Sequence, residues 1–277
     1  MAEPLTLMAV HAHPDDESSS TGGVLARYGD EGIRTVLVTC TNGELGDGPN
    51  HVKPDEEGHD EKEVAKTRLA ELQSAVQILG VDHLELLGYN DSGMADWRFR
   101  EREDAFCNIP IEESTGRLIE LFERYRPDVV VTYDDNGGYN HPDHLQAHRI
   151  TVAATEQTGI PSKLYFIARR WSSMQKLRER MAELGIEMGG PPATPDPERL
   201  KRMQENEKRI TTAVDISSVA ARKRDALAAH ASQLDQSWWV KFPKDESISF
   251  FAEETFIRHI DKTGAGVPET DLFAGLR

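Results

Sequence analysis

The chain has 277 residues, a formal net charge of −16, 38% hydrophobic residues and 29% charged residues. This length is enough for one large domain, and the composition suits a soluble globular protein. The negative charge argues against a nucleic-acid partner, which needs a basic face, and the longest apolar runs are far too short to span a membrane.

Strand-like and helix-like segments alternate over the first part of the chain. The predicted strands are 5–10, 35–40, 83–87, 128–133 and 163–168. The predicted helices are 18–28, 64–79, 111–125 and 142–158. Because β-α-β alternation favours parallel strands covered by helices on both faces, we predict an α/β fold with a Rossmann-like, mainly parallel sheet.

The pattern loosens after residue 168. Four further segments are an amphipathic helix at 172–184, a Gly/Pro-rich loop at 189–197, a strand at 210–214 and a helix at 219–234. We predict a catalytic core at 1–168 and a C-terminal part at 169–277 that packs on the core and lines its cleft, the two forming one integrated domain. The acidic stretch 55–63 is predicted to be a solvated loop.

Two segments rich in histidine and aspartate each follow a predicted buried strand. Residues 11–17 read H-A-H-P-D-D-E, and residues 139–144 read Y-N-H-P-D-H. Catalytic loops of open α/β folds gather where strands end. A single histidine there is usually a surface or hydrogen-bonded residue, but the pattern occurs twice, which favours a metal site.

The predicted metal ligands are His13, Asp16 and His144. Two imidazoles and one carboxylate hold a cation while leaving positions open for water and substrate, as in a catalytic site. Zn²⁺ is the first choice because nothing in the sequence indicates redox chemistry, and Fe²⁺ also fits these ligands. His148 lies four residues after His144, but the intervening residues lack the glutamate of H-E-x-x-H, so we do not expect it to bind metal.

Proton transfer needs groups of its own beside the metal. A bound cation lowers the pKa of water towards roughly 7, and Asp15 can then accept the water's proton as general base. His141 can protonate the leaving group, and Asp143 can hold His141 in the right tautomer. Tyr139 can donate to an oxyanion; its alternative role is an aromatic lid over the cleft.

These motifs resemble the LmbE-like, PIG-L family of metal-dependent de-N-acetylases. The resemblance covers A-H-P-D-D-E at 12–17, T-Y-D-D-N-G-G-Y at 132–139 and H-P-D-H at 141–144. Further segments resemble the mycothiol branch, which includes S-conjugate amidases and N-acetylglucosaminyl-inositol deacetylases: T-N-G-E at 41–44, Arg68, D-S-G-M at 91–94, A-H-A-S-Q at 229–233 and the tail at 269–275. The tail is most similar to the S-conjugate amidases.

The resemblance implies zinc at His13, Asp16 and His144, Asp15 as base, and His141, Asp143 and Tyr139 as groups that assist the tetrahedral intermediate. In that branch the substrate is an N-acylated glucosaminyl-inositol. Arg68 and Asp91 would hold sugar or inositol hydroxyls, supported by Glu44, and Met94 would also contact the substrate. Without the resemblance, Arg68 reads as a surface helix charge paired with Glu71 or Glu63.

Several alternatives remain open at this point. The acyl group is either large, as in an amidase, or acetyl, as in a deacetylase, and the substrate can also be a glycosylated secondary metabolite. The rival from another class is a nucleotide or sugar-phosphate binding module, suggested by Gly43, Gly46 and Gly48. The two cysteines form no C-x-x-C pair, and removal of a signal peptide would remove His13, so a cytoplasmic location is expected. A homo-oligomer is possible.

Overall fold

The structure, a computed structural model, describes residues 4–186, 197–234 and 241–277. Within these residues, one sheet contains seven strands: β1 Thr6–His11, β2 Arg34–Thr41, β3 His83–Tyr89, β4 Val129–Thr132, β5 Lys163–Ala168, β6 Thr212–Asp215 and β7 Glu253–Asp261. Their order across the sheet is β3-β2-β1-β4-β5-β7-β6. The first five strands are parallel to their neighbours, whereas β7 runs antiparallel to both β5 and β6. The predicted mainly parallel α/β sheet is therefore confirmed.

Helices cover both faces of this sheet. Those described are α1 Asp16–Ser20, α2 Gly22–Asp30, α3 Glu61–Leu79, α4 Ile111–Tyr125, α5 Gly137–Asn140, α6 Pro142–Thr158, α7 Trp171–Glu183, α8 Pro197–Lys208, α9 Ala220–Ala229, α10 Ala231–Leu234 and α11 Lys244–Phe250. Short 3₁₀ turns lie at Pro49–His51, Arg98–Glu101 and Phe106–Asn108. Each of the nine helical and strand segments predicted for the first 168 residues has a counterpart, with ends shifted by a few residues.

Two predicted helices are interrupted. The helix predicted at 18–28 breaks at Thr21, whose backbone has a φ of −133° and whose hydroxyl lies 2.8 Å from Nε2 of His11. The helix predicted at 219–234 breaks at His230. In both cases a polar side chain is directed into the protein at the break, and helical continuity is lost there.

The prediction for the acidic stretch 55–63 is wrong at its end. Asp60 caps α3, because its Oδ1 accepts hydrogen bonds from the backbone N–H groups of Lys62 and Glu63 at 2.9 and 3.3 Å, which satisfies donors that a helix start otherwise leaves unpaired. Helix α3 therefore begins at Glu61 and ends before Gly80, whose φ is +74°. Most of the predicted loop at 189–197 lies outside the described residues; its last residue, Pro197, begins α8.

The core has two layers, one on each face of the sheet. Side chains such as Leu7, Leu37 and Val129 point to the face covered by α2, α3 and α9. Their neighbours Met8, Val36 and Val130 point to the face covered by α4 and α6. The C-terminal residues supply β6, β7 and α9 to this same architecture; the division at residue 168 stays a prediction. None of the described helices is long and apolar enough to cross a membrane.

Candidate active site

The two segments rich in histidine and aspartate meet at the carboxyl ends of the neighbouring strands β1 and β4. The chain builds the sheet outward from β1 to β2 and β3, then crosses to β4 on the other side of β1. Leu7 pairs with Val129 and Ala9 with Val131, so the two strand ends lie side by side. Such a reversal of strand order opens a crevice where ligands of open α/β sheets bind.

The structure brings the three predicted metal ligands into contact in this crevice. Nδ1 of His13 lies 3.3 Å from Oδ2 of Asp16, and Nε2 of His144 lies 3.4 Å from the same oxygen. All three side chains are buried. Because zinc binds such ligands at about 2.0–2.2 Å, ligands of one ion lie roughly 3 Å apart. Both distances from Asp16 suit a shared ion, and ligand atoms of His13, His141 and His144 also lie within 4.8 Å of one another.

The ring tautomers also fit a metal. Nδ1 of His144 donates to the carbonyl oxygen of Gly137 at 3.0 Å, which leaves Nε2 to face Asp16; this buried atom has no hydrogen-bond partner among the described residues. Nε2 of His13 lies 3.1 Å from Oδ2 of Asp143, which leaves Nδ1 of His13 to face Asp16. Ring nitrogens of both histidines therefore face the carboxylate of Asp16, an arrangement that suits a cation held between them. A carboxylate behind a histidine ligand is common in metal sites.

The site concentrates negative charge. Although burial opposes the shift, Asp91, Asp143 and Asp16 hold the pKa of His13 well above its ordinary value. Burial likewise opposes the shift at Asp16, but His144 and His13 hold the pKa of that carboxyl well below its ordinary range. Both shifts indicate that the carboxylates around His13 make this part of the site favourable for positive charge.

Tyr133 positions Asp16 and His144, and the sequence analysis missed it. Its hydroxyl donates to Oδ2 of Asp16 at 2.7 Å and accepts from the backbone N–H of Ala12 at 2.8 Å. Its ring stacks on His144 with centroids 4.0 Å apart. Its place at the end of β4, directly before the second motif, was the available signal.

Asp15 lies beside the ligands and has a constrained backbone. Its φ is 104°, a conformation that side chains other than glycine's seldom adopt. Oδ2 accepts from Nη2 of Arg68 at 2.9 Å. Burial, partly opposed by Arg68 and increased by Asp16, raises the pKa of Asp15 to about 6. The structure therefore keeps the predicted base close to the crevice, with a pKa near neutrality.

The reading of Arg68 as a surface charge paired with Glu71 or Glu63 is wrong. Arg68 is buried, and besides Asp15 its guanidinium donates to the carbonyl oxygens of Gly43 at 2.7 Å and Pro14 at 2.5 Å. It therefore joins α3 to the loops after β1 and β2. Contact with a substrate hydroxyl stays a prediction.

The expected contact between the side chains of Asp143 and His141 is absent from the described structure. The Asp143 carboxylate instead accepts from His13, from the hydroxyl of Ser92 and from the backbone N–H of Ser92 at 2.9 Å. The reason is local: Pro142 begins α6, and Nδ1 of His141 caps it by accepting the backbone N–H of Asp143 at 3.2 Å, so this ring nitrogen is already used and does not bond to the Asp143 carboxylate. Asp143 therefore orients His13, and Ser92 is a second residue that the sequence analysis missed.

His141 and Tyr139 border the same cluster. The ring centroid of His141 lies 4.6 Å from that of His13, and burial, together with the charges of His13 and His144, lowers its pKa. The Tyr139 ring is 56% exposed and meets the His144 ring edge-on at 5.0 Å. His141 is thus a buried imidazole next to the ligands, and Tyr139 covers them from the solvent side.

Comparison with known proteins identifies the group to which this site belongs. Residues 8–155 match the PIG-L family, described as GlcNAc-PI de-N-acetylase. The chain is 33% identical to the mycothiol S-conjugate amidase of Streptomyces coelicolor, over 100% of this chain and 99% of that protein. It is 40% identical to the 1D-myo-inositol 2-acetamido-2-deoxy-alpha-D-glucopyranoside deacetylase of Mycobacteroides abscessus, over 98% of each. This chain belongs to the PIG-L family.

Membership in the PIG-L family confirms the resemblance drawn from the two motifs and makes the chain a hydrolase of amide C–N bonds. The solved structure of N,N'-diacetylchitobiose deacetylase from Pyrococcus horikoshii is similar, with a TM-score of 0.58 and 19% identity, over 94% of this chain and 87% of that one. At this identity the likeness concerns the fold alone.

The predicted substrate-binding residues of this PIG-L chain lie around the crevice at different depths. Asp91 is buried, with Oδ1 3.5 Å from Nε2 of His13, and its backbone N–H donates to Oε1 of Glu44 at 2.9 Å. Met94 is 38% exposed. Asp91 and Glu44 are therefore part of the crevice wall, whereas Met94 lies at the surface.

The glycines of the loop after β2 do not form a phosphate-binding turn. The segment that follows contains the 3₁₀ turn Pro49–His51, and α3 begins only at Glu61. The loop therefore does not lead directly into the N-terminus of an α-helix, whose free N–H groups would bind a phosphate. Gly43 has a φ of +65°, and a Cβ there would lie 2.4 Å from Nη1 of Arg68. The glycine at 43 is required by the close approach of Arg68.

A cavity extends from the PIG-L site towards the C-terminal part of the chain. It has a volume of about 290 Å³. One end is formed by Asp16, Tyr139 and His144; the wall includes Ile167, Trp171, Met174 and Met203. The prediction that the C-terminal part borders the cleft is confirmed, and the wall that it supplies contains several apolar side chains.

Proposed function

We propose that this chain is a zinc-dependent amidohydrolase that removes a bulky acyl group from the nitrogen of an amino sugar of the glucosaminyl-inositol type. The observation that carries the proposal is the buried Nε2 of His144, which has no hydrogen-bond partner among the described residues and lies 3.4 Å from Oδ2 of Asp16. Metal ligands and a candidate base thus meet at one crevice in an amide hydrolase.

His13, Asp16 and His144 would hold the ion, with Asp143, Tyr133 and the carbonyl of Gly137 orienting them. When bound, Zn²⁺ lowers the pKa of water and polarises a carbonyl oxygen. Fe²⁺ fits the same two imidazoles and carboxylate. The three ligands leave one side of the crevice open towards Tyr139 and the cavity.

Asp15 and His141 would move the protons of the reaction. Asp15 accepts a proton from water as the water oxygen attacks the carbonyl carbon of the amide. The C–N bond then breaks, and the amine nitrogen gains a proton relayed through His141. The products are a carboxylic acid and an amino sugar with a free amine, so the water is fully accounted for.

Tyr139 would donate a hydrogen bond to the carbonyl oxygen as it becomes negatively charged. Its ring already lies edge-on to His144, at the solvent side of the ligands. A donor at this place stabilises the tetrahedral state more than the flat amide. Asp91 and Arg68 would hold hydroxyls of the sugar or inositol, supported by Glu44.

The cavity beside the proposed ligands favours a bulky acyl group. A volume of about 290 Å³ is several times larger than an acetyl group, and Trp171, Met174 and Met203 offer apolar contacts. Burying apolar area contributes about 25 cal/mol per Å², so a bulky apolar acyl group gains binding energy there. The full-length match to a mycothiol S-conjugate amidase supports the same choice.

Acetyl is the second candidate acyl group. The relative at 40% identity is named as a deacetylase of an inositol-linked acetamido sugar, and its substrate has the same amino sugar. A cytoplasmic location and a homo-oligomeric state stay predictions.

The test is a comparison of three amides of glucosaminyl-inositol with zinc-loaded enzyme: the N-acetyl compound, mycothiol, and a benzyl S-conjugate of mycothiol. Release of the primary amine is followed with a fluorogenic reagent. We expect kcat/KM for the benzyl conjugate to exceed that for the N-acetyl compound by about tenfold or more, because an apolar ring gains roughly 1.5–3 kcal/mol on burial.

Asp15→Asn provides the mechanistic arm of this experiment. It should lower kcat on the order of 100-fold or more while the zinc content, measured by mass spectrometry, stays at the wild-type level. Asp55→Asn is the matched control, since Asp55 is exposed and pairs with exposed Arg98. If the N-acetyl compound is turned over faster, the proposed acyl group is acetyl and not a bulky group. If no amine is released from any of the three compounds, the proposed amino-sugar substrate is wrong.

A further inference from the structure

A buried carboxylate-imidazole pair lies beneath the loop that carries Asp15. Oε1 of Glu17 lies 2.8 Å from Nε2 of His230. Both side chains are fully buried. The other ring nitrogen of His230 has no hydrogen-bond partner among the described residues. Among the described residues, the imidazole of His230 is therefore hydrogen-bonded to Glu17.

The second oxygen of Glu17 connects this pair to the candidate base. Oε2 accepts the backbone N–H of Asp15 at 2.9 Å. Asp15 has a φ of 104°, a strained conformation for a residue with a side chain, which persists only where the surroundings impose it. Two hydrogen bonds hold Asp15 in this conformation: Glu17 accepts its backbone N–H, and Arg68 donates to its carboxylate.

His230 reaches Glu17 because the C-terminal helix is broken. Helix α9 ends at Ala229, and α10 begins at Ala231. His230 lies between them with a ψ of 52°, which turns its side chain inward. The imidazole of His230 thus links the C-terminal part of the chain to Glu17, which lies 213 residues earlier in the sequence.

The same helix supplies another buried pair that serves for comparison. Nζ of Lys223 lies 2.6 Å from Oε1 of Glu254, and Glu254 accepts the backbone N–H groups of Gly23 and Val24 at 2.8 and 2.9 Å. This pair also fixes a helix start through a buried carboxylate. It holds the beginning of α2, however, and not Asp15.

We propose that His230 is a positioning residue of the hydrolase, which acts through Glu17 to hold Asp15 in the backbone conformation that directs its carboxylate into the crevice. The assignment of Asp15 as the base rests on the proposed function. The positioning role of His230 rests on geometry alone. One oxygen of the Glu17 carboxylate accepts the backbone N–H of Asp15, and the other lies 2.8 Å from Nε2 of His230.

The test uses His230→Gln in the zinc-loaded full chain, with Lys223→Gln as the matched control. For His230→Gln we expect kcat to fall on the order of 10- to 100-fold, as a misplaced catalytic group causes, with KM within about threefold of wild type and unchanged zinc content. Lys223→Gln removes a buried cation from the same helix and should leave kcat at the wild-type level, even though its melting temperature falls.

A second measurement does not depend on turnover. Hydrogen exchange of the Asp15 amide, followed by NMR, should be slow in the wild type because a buried carboxylate accepts it, and it should be on the order of tenfold faster in His230→Gln but not in Lys223→Gln. If His230→Gln does not fold, the exchange rate in the wild type decides: an Asp15 amide that exchanges like an open loop overturns the proposal.

The outcomes separate this inference from the proposed function. Wild-type kcat in His230→Gln, or equal losses of kcat in both variants, would mean that the pair only stabilises the fold. Were the wild-type enzyme to release no amine from the glucosaminyl-inositol amides, the proposed substrate would fail, while faster Asp15 exchange in His230→Gln alone would still support the positioning role.

Discussion

The Glu44 carboxyl has unequal surroundings at its two oxygens. Oε1 accepts the backbone N–H of Asp91, whereas Oε2 is buried without a hydrogen-bond partner among the described residues. Burial, to which the nearby charge of Asp91 adds, raises the pKa of Glu44 from 4.5 to about 7. The folded protein therefore binds a proton at Glu44 in a pH range where the unfolded chain has lost it.

This shift predicts that stability falls as pH rises from about 4.5 to about 7 through Glu44. In that window the native state holds more protons than the unfolded state, so the free energy of unfolding decreases with pH, by on the order of 1–3 kcal/mol in total. Glu44→Gln cannot ionise and should lose this component. The measurement is urea unfolding of both proteins at pH 5 and pH 8, and parallel pH profiles would contradict the assignment.

At the level of single residues, the sequence predicted which groups meet but not how all of them bond. His13, Asp16 and His144 could be placed together because their segments follow strands that a parallel sheet brings to one edge. The partner of Asp143 was wrong, because the cap that His141 makes on α6 depends on local backbone geometry. Tyr133, Glu17 and His230 were missed as contributors, since their roles arise from contacts across more than a hundred residues.

Among the connections, the loop after β2 depends on a side chain from α3. Arg68 donates to Gly43 in this loop and to Pro14 in the loop after β1. The same guanidinium contacts the carboxylate of Asp15. Through Arg68, helix α3 is therefore hydrogen-bonded to two loops of the crevice. The guanidinium has room to do this because residue 43 has no side chain.

Gly43→Ala should therefore disturb both stability and activity. The new Cβ would lie 2.4 Å from Nη1 of Arg68, and Arg68 has to move away from its partners. Gly32→Ala is the control, because Gly32 has a φ of +80° with nothing within 4 Å of the added carbon. We expect a loss of about 1 kcal/mol for Gly32→Ala from the backbone conformation alone and roughly 2 kcal/mol more for Gly43→Ala.

Chemical unfolding measures the difference between these two variants, and amine release measures the activity. Equal destabilisation of the two variants, with unchanged turnover in Gly43→Ala, would show that Arg68 does not need its present position.

At the level of elements, the hydrophobic pattern was sufficient where a strand is a continuous buried apolar run or a helix buries one apolar face. The strands β1, β2, β4 and β5 and the helices α4 and α6 were predicted for this reason. Strand β7 was not predicted, because its buried residues include Glu254, a carboxylate that is tolerated only through Lys223 and the start of α2. Helix α8 was not predicted either, since its polar sequence follows a Pro-rich stretch that indicates a loop.

For the molecule as a whole, the metal would link the two halves of the sheet. The proposed ligands follow β1 on one side and β4 on the other. The hydrogen bond between His13 and Asp143 already joins these two segments, across a sequence separation of 130 residues. The buried carboxylates around His13 repel one another without added positive charge. A bound ion would therefore stabilise the native state relative to an unfolded chain in which these groups are far apart.

Removal of the metal should lower the melting temperature. An ion present at about 100 times its Kd contributes about 2.7 kcal/mol, which corresponds to a shift of several degrees, roughly 2–4 °C per kcal/mol, for a chain of this size. The measurement is differential scanning calorimetry of the chelated protein with and without added zinc.

His144→Ala is the control for this experiment, because it removes one ligand and should abolish the response to zinc. A melting temperature that is independent of zinc in the chelated wild-type protein would contradict binding at this site.

The position of the site at the junction of β1 and β4 also has a consequence for how the protein matures. A partly folded chain that has joined β1 to β2 and β3, but has not yet added β4, presents His13 and Asp16 without His144. Tight uptake of the ion must then wait until the two halves of the sheet have joined. Metal occupancy during refolding would accordingly mark the moment at which the central strand pair is complete.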